Sequence, residues 1–148
     1  MDILASRLGP GSEIIGVDSS PMMIDRAQTL RKAPPDVKFD FQVADCLSLP
    51  FENEAFDWAL VVNTFPHFRD FASALQELRR VTKDGGYIAI LESGSTAETN
   101  QHHKEIGGPV ANDMLPGAIE FMQLVRDSGL WLQIYVDDDD GFRVLARK

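Results

Sequence analysis

Four polar residues in this chain each follow an apolar, strand-like stretch: Asp18, Asp45, Asn63 and Glu92. In an open α/β sheet, ligands bind outside the carboxyl ends of the strands. Four polar strand exits in succession therefore describe a binding edge better than any one of them does. A lone acid after a strand is as readily a helix cap, but Asp45 at the exit after Asp18 strengthens the ligand reading. Asp18, as a carboxylate, can accept two hydrogen bonds from vicinal ribose hydroxyls, and charged bonds of this kind contribute about 1.5–3 kcal/mol. Asp45 can accept from an exocyclic amine on a purine. The backbone N–H of Cys46 can donate to a ring nitrogen. Ser19 and Met22 are placed to pack against the nucleoside.

Three histidines carry the remaining acid–base chemistry: His67, His102 and His103. His67 follows an apolar strand and has the chemistry of a general base that deprotonates an acceptor hydroxyl or thiol. His102 and His103 fall on a later helix, and with His67 they are candidates to line an acceptor pocket. Helix-surface and capping roles are the plainer alternative. A metal site of His67, His102, His103 and Asp113 is not expected, because adjacent helical residues point roughly 100° apart and make poor co-ligands. Cys46 reads as a packing residue and not a nucleophile, since no base neighbours it in sequence. The run Asp137-Asp138-Asp139-Asp140 reads as a solvated turn and lacks the spaced ligands of a calcium loop.

The elements that must hold these residues follow from patterning. Ile3, Leu4 and Leu8 have helical spacing, ended by Gly9-Pro10-Gly11. A strand is expected at 13–18, then a helix capped by Ser20 with Pro21 in its first turn and a stripe of Met23, Ala27 and Leu30. Ala33-Pro34-Pro35-Asp36 breaks that helix. Residues 37–43 alternate, as in a strand with one buried face. Residues 56–62 form a continuous apolar run, as in a central parallel strand. Asp70 caps a helix carrying Phe71, Leu75 and Leu78, and Asp84-Gly85-Gly86 turns the chain into a strand at 87–91. Ser95 and Glu98 have capping-box spacing, and Gly107-Gly108-Pro109 ends the helix that they open. A helix over 116–128 carries Ala118, Phe121, Met122 and Val125 on its apolar side and stops at Gly129. A terminal hairpin closes the chain. This is an open α/β sheet of Rossmann-like type, mostly parallel with a C-terminal antiparallel hairpin, in a single domain over 1–148.

The 148 residues carry a formal net charge of −9, with 44% hydrophobic and 25% charged residues. That composition suits a soluble globular domain. The negative balance argues against nucleic acid and against an anionic membrane surface as partners. One cysteine permits no intrachain disulfide and suits a reducing cytoplasm. The start of the chain lacks the pattern of a signal peptide, and the run 58–62 is too short to span a bilayer.

Several of these segments carry a family resemblance. Gly11-Ser12-Glu13-Ile14-Ile15-Gly16-Val17-Asp18-Ser19-Ser20-Pro21-Met22-Met23 resembles class I S-adenosylmethionine-dependent methyltransferases, most of all the type 11 branch that includes quinone-biosynthesis enzymes. Ala44-Asp45-Cys46-Leu47-Ser48-Leu49-Pro50-Phe51 is similar to that branch's adenine-contact motif. Phe56-Asp57-Trp58, the segment from Leu75 to Tyr87 and the terminal hairpin fit the same pattern. The stretches Asn63–Phe68 and His102–Pro116 resemble one subgroup of methyltransferase-like proteins. The resemblance implies S-adenosylmethionine as cofactor, a small-molecule methyl acceptor, and a seven-stranded sheet in the order 3-2-1-4-5-7-6. It carries Asp18, Ser19, Asp45 and Cys46 over as nucleoside contacts, with Met22 and Asn63 as further cofactor-side candidates.

One departure is large. A ribose-binding acid normally lies about 20 residues beyond a first strand and glycine-rich turn, and only seventeen residues precede Asp18. Gly9-Pro10-Gly11 is no substitute, because it precedes a strand. The domain is thus expected to lack the family's first strand, the central one in the implied order. Its neighbours at 13–18 and 56–62 are left with open edges. Direct pairing of those edges, a second copy (a homodimer) or another protein that fills the gap or covers the edges, and a truncated form of a longer protein are the three arrangements left open. Two other functions stay open beside the transferase: an inactive methyltransferase-like binding or regulatory protein, and a nicotinamide-cofactor Rossmann protein. The missing glycine turn weighs most against the last, whose pyrophosphate depends on it.

Overall fold

The structure, a computed structural model, describes residues 8, 9, 11–30 and 37–148. The expected first helix rests on Ile3 and Leu4, and the breaker runs from Ala33 to Asp36; both lie outside the described residues. The chain groups into two compact units, Met1–Pro50 and Phe51–Lys148.

The first unit holds strand β1 (Glu13–Asp18), helix α1 (Pro21–Leu30) and strand β2 (Lys38–Val43). The two strands are parallel, in a register that sets Asp18 opposite Val43. The Ser20 carbonyl accepts from the Met23 and Ile24 N–H groups, so α1 opens at Ser20. The apolar stripe differs from the expected one. Ile24 is buried, whereas Met23 and Leu30 are 45% and 66% exposed. The helix is turned by one position, so that branched Ile24, and not flexible Met23, faces the strands. Strand β2 is less regular than its alternation implied: Val37 is buried, but Val43 at the far end is exposed.

The second unit holds strand β3 (Phe56–Val62), helix α2 (Phe71–Val81), strand β4 (Thr82–Glu92), helix α3 (Thr96–Ile106), helix α4 (Ala118–Asp127), and strands β5 (Trp131–Asp138) and β6 (Gly141–Arg147). Short 3₁₀ turns at Phe65–His67 and Gly108–Val110 link them. Sheet order is β3-β4-β6-β5, parallel for β3 with β4 and antiparallel at both β6 contacts. The sequence placed a turn at Asp84-Gly85-Gly86; the structure absorbs it into the start of β4, with a register shift opposite Phe56–Trp58.

Asp70 caps α2 by accepting from the Ser73 N–H at 3.0 Å, and the Ser95–Glu98 capping box of α3 is formed. Phe65 sits at the centre of the core, stacked on Phe71 at 4.9 Å and tilted against Phe121 at 5.4 Å. Phe121 in turn meets Phe142 edge-on at 5.1 Å. On α4 only Phe121 and Val125 of the expected side are buried, while Met122 is 41% exposed.

The apolar run of 56–62 pointed to a central strand, whereas the resemblance implied an open edge there; among the described residues β3 is an edge strand, and Trp58, Leu60 and Val62 are 51%, 40% and 53% exposed. An apolar run records which side chains a strand carries, not which neighbours cover its faces. The strands β1-β2 and β3-β4-β6-β5 form separate sheets among the described residues. The order within each sheet agrees with the corresponding part of the order that the resemblance implied.

Candidate active site

In the first unit, the parallel register carries two acids to one edge. Asp18 ends β1 opposite the last residue of β2, and Asp45 lies two residues beyond that partner. Asp18 Oδ1 accepts from the Ser20 N–H at 2.8 Å, which fixes the carboxylate at the start of α1. Asp45 Oδ1 accepts from the Leu47 N–H at 3.0 Å, and its carbonyl accepts from the Ser48 N–H. Each acid thus has one oxygen held by its own loop. Among the described residues neither Oδ2 has a protein partner. Ser19 and Met22 are exposed and Cys46 is half-buried, all beside these acids in the chain. Asp18 is half-exposed and Asp45 exposed, and carboxylates held in place by backbone N–H groups need little reordering when they accept from a diol or an amine.

In the second unit, the exits of β3 and β4 are tied together by side chains. Asn63 adopts a left-handed backbone (φ 49°), a conformation asparagine tolerates better than most residues. Its Oδ1 accepts from the Ser93 N–H at 2.8 Å. Glu92 is buried, and its Oε1 accepts from the N–H groups of Thr64 and Phe65 at 3.1 and 3.0 Å. Burial pushes the Glu92 carboxyl above its usual range; those two N–H donors and the nearby His67 and His103 oppose the shift. Glu92 thereby anchors the turn that presents His67.

His67 Nδ1 lies 2.8 Å from Asp113 Oδ2. The rings of His67 and His103 stack with centroids 5.0 Å apart, and His103 Nδ1 hydrogen-bonds the Asp113 carbonyl. Asn100, one helical turn before His103, clamps the segment after Asp113: its Nδ2 donates to the Leu115 carbonyl at 3.0 Å and its Oδ1 accepts from the Leu115 N–H at 2.7 Å. His103 is buried; His102 is exposed, on another side of α3. Of the three histidines, the structure brings together His67 and His103 and leaves His102 outside the cluster. Among the described residues no group of three or more histidine, cysteine or acidic side chains is arranged to hold a metal.

Sequence reasoning named Asp113 only as a member of a metal set and did not name Asn100. No local pattern marks either, since Asp113 is 46 residues from His67. The aspartate run at the hairpin is exposed, as a solvated turn should be, and two of its members also make bonds: Asp137 accepts from the Thr96 N–H at the start of α3 at 2.7 Å, and Asp138 pairs with Arg143 at 2.7 Å. An open groove lined by Gly85, Met122, Val125, Trp131 and Arg147 lies at the other end of β4 and β6, and its lining has no histidine or carboxylate. Among the described residues no helix is long and apolar enough to cross a membrane.

Parallel strands that alternate with helices and end in polar residues in each unit, with a terminal antiparallel hairpin in the second, are the elements of a Rossmann-like α/β class. Residues 2–90 match the family described as "Methyltransferase domain", and the chain belongs to that family. It is 36% identical over 90 residues to a demethylmenaquinone methyltransferase of Thermus thermophilus, covering 61% of this chain and 40% of that protein. It is 37% identical over 82 residues to the 2-methyl-6-phytyl-1,4-hydroquinone methyltransferase of Synechocystis, covering 55% of this chain and 25% of that protein. The chain therefore spans well under half the length of these relatives. A solved SAM-dependent methyltransferase of Methanosarcina mazei shares the fold, with a TM-score of 0.73 at 21% identity over 99% of this chain and 85% of that one. S-adenosylmethionine is the cofactor that goes with this family and fold.

Proposed function

We propose that this chain acts as an S-adenosylmethionine-dependent methyltransferase on a small molecule with a hydroquinone-like hydroxyl. The observation that carries the reading is the edge shared by Asp18 and Asp45, each with one carboxylate oxygen fixed by a backbone N–H and the other without a protein partner among the described residues. In this reading Asp18 accepts from the ribose hydroxyls and Asp45 from the adenine amine. The Cys46 N–H donates to the ring, Ser19 and Met22 flank the nucleoside, and Asn63 is a further cofactor-side contact. His67 serves as proton acceptor, with His103 stacked beside it; His102, exposed on another side of α3, stands apart from this pair. The hydroquinone-like acceptor is drawn from the names of the two relatives above.

The reading takes 1–148 as one methyltransferase-like domain in a reducing cytoplasm. A second copy of the chain covers an open strand edge, and light scattering tests that part. Methyl transfer depends chiefly on orientation and in-line approach, so the protein's main task is to position donor and acceptor.

Calorimetric titration with S-adenosylhomocysteine tests the cofactor reading. Micromolar binding by the wild type is expected, weakened by roughly tenfold or more in Asp18→Ala, as loss of charged hydrogen bonds to a diol requires. A well-folded chain that binds no S-adenosylhomocysteine would instead favour a methyltransferase-like binding protein. Saturable NAD binding in that case would return the nicotinamide reading.

A further inference from the structure

Asp113 touches both stacked imidazoles, with a different oxygen for each. Its carboxylate meets His67 Nδ1, and its main-chain carbonyl meets His103 Nδ1. Carboxylate and carbonyl oxygens only accept hydrogen bonds, so both Nδ1 atoms must carry hydrogen. In the neutral rings the hydrogen is then absent from Nε2, which is left as the basic, accepting nitrogen. Among the described residues neither Nε2 has a protein partner. His67 keeps 40% of its side-chain surface exposed, so its Nε2 has room for an incoming group. The clamp is rigid: Asn100 pins Leu115, Leu115 is buried, and the Asp113 N–H donates to the Val110 carbonyl at 3.0 Å.

We propose that Asp113 is a positioning residue that sets both histidines in the Nδ1–H tautomer, so that His67 Nε2 accepts the proton of a phenol-type hydroxyl on the methyl acceptor. This rests on the transferase reading above and adds to it the residue that makes His67 a base and the class of group it acts on. The step balances. The hydroxyl O–H bond breaks and its proton passes to Nε2. With a sulfonium donor bound, the freed electron pair would make a bond to its methyl carbon, from the oxygen or from a conjugated ring carbon whose own hydrogen would then leave to solvent as a proton. The methyl–sulfur bond would break with its pair kept on sulfur, giving a neutral thioether. The imidazolium formed at His67 faces the Asp113 carboxylate and lies near Glu92, and it returns its proton to solvent.

Long-range ¹H–¹⁵N NMR of the labelled chain tests the tautomers, at a pH about two units above the ordinary imidazole value so that free rings are neutral. Both rings are expected with a protonated Nδ1 and a bare Nε2. In Asp113→Ala, His67 should move to the Nε2–H form that free histidine prefers, while His103 keeps its tautomer because a main-chain carbonyl holds it. A merely structural role for Asp113 would not produce that split. A wild-type His67 in the Nε2–H form, or one unchanged in Asp113→Ala, overturns the proposal. The wild-type spectrum alone suffices for this, so a variant that failed to fold would not shelter it.

A second arm titrates 4-methoxyphenol and follows the His67 Nε2 resonance. A saturable shift, several-fold weaker in Asp113→Ala, is expected; no saturable shift, or an equal one in both proteins, overturns the acceptor class. These outcomes are separate from the calorimetry. Failed S-adenosylhomocysteine binding removes the transferase reading and leaves the tautomers standing, and a wrong tautomer does the reverse.

Discussion

Glu92 Oε1 lies 3.0 Å from the backbone nitrogen of Phe65, across 27 residues of sequence. The end of β4 thereby holds the turn that follows β3. Phe65 itself is fully buried, so one residue of this turn is fixed twice, by its ring in the aromatic core and by its N–H on a carboxylate. His67 follows two residues later and inherits that placement.

Replacing Glu92 by Ala should destabilise the second unit by about 1–3 kcal/mol, because two backbone donors lose their acceptor in a buried place. Glu92→Gln keeps a carbonyl oxygen there and should recover most of the loss. Urea unfolding of the two variants beside the wild type checks the order, and equal stability of Ala and Gln would disprove the anchoring role.

The same carboxyl predicts a pH dependence. Burial raises its folded-state pKa above the unfolded value, so the folded state holds this proton more tightly. Its contribution is therefore fully present below the unfolded pKa and is lost as pH rises through the folded one. Glu92→Gln cannot lose a proton there. The stability of Glu92→Gln relative to wild type should rise as pH increases from about 4.5, the ordinary value of a glutamate carboxyl, and then level off. A difference independent of pH over that window would contradict the burial of this charge.

Gly141 opens β6 with φ 116°, and a Cβ at this position would meet the carbonyl oxygen of Glu92. Gly141→Ala should cost about 1–3 kcal/mol from the backbone conformation alone, with a further loss from the clash. Because the clash falls on the residue that anchors the His67 turn, the His67 NMR resonances should move as well. A thermal melt and a histidine spectrum of the variant measure both effects.

Ser95 accepts from the Glu98 N–H, and the Glu98 side chain returns bonds to Ser95. Ser95→Ala should weaken α3 by about 1 kcal/mol. Since α3 carries Asn100 and His103, hydrogen exchange should quicken in its first turn while the Asn100–Leu115 clamp keeps the later turns protected. Uniform exchange along α3 would argue against that division.

Much of the fold was legible in the sequence because it is locally encoded. The spacing of apolar residues marked β1, α2 and the terminal hairpin; Asp70 and Ser95 marked helix starts through their side-chain oxygens, and Gly129 marked a helix end through its left-handed backbone. The four polar strand exits were legible for the same reason, since a strand's period shows where it must stop. Local pattern failed where a face had to be chosen. Met23 and Ile24 are equally apolar to a periodicity, and only the packing of α1 on its strands buries Ile24. The apolar run of β3 carried no record of which neighbours it lacks. The meeting of His67, His103 and Asp113 was not legible, because it depends on a turn, a helix and a loop from three places in the chain closing to contact distance. The sequence by itself determined the element types, the strand exits and the acids that they present. Tertiary structure alone decided which histidines pair and through which nitrogen, because a tautomer is set by the partner across the gap and not by neighbours along the chain.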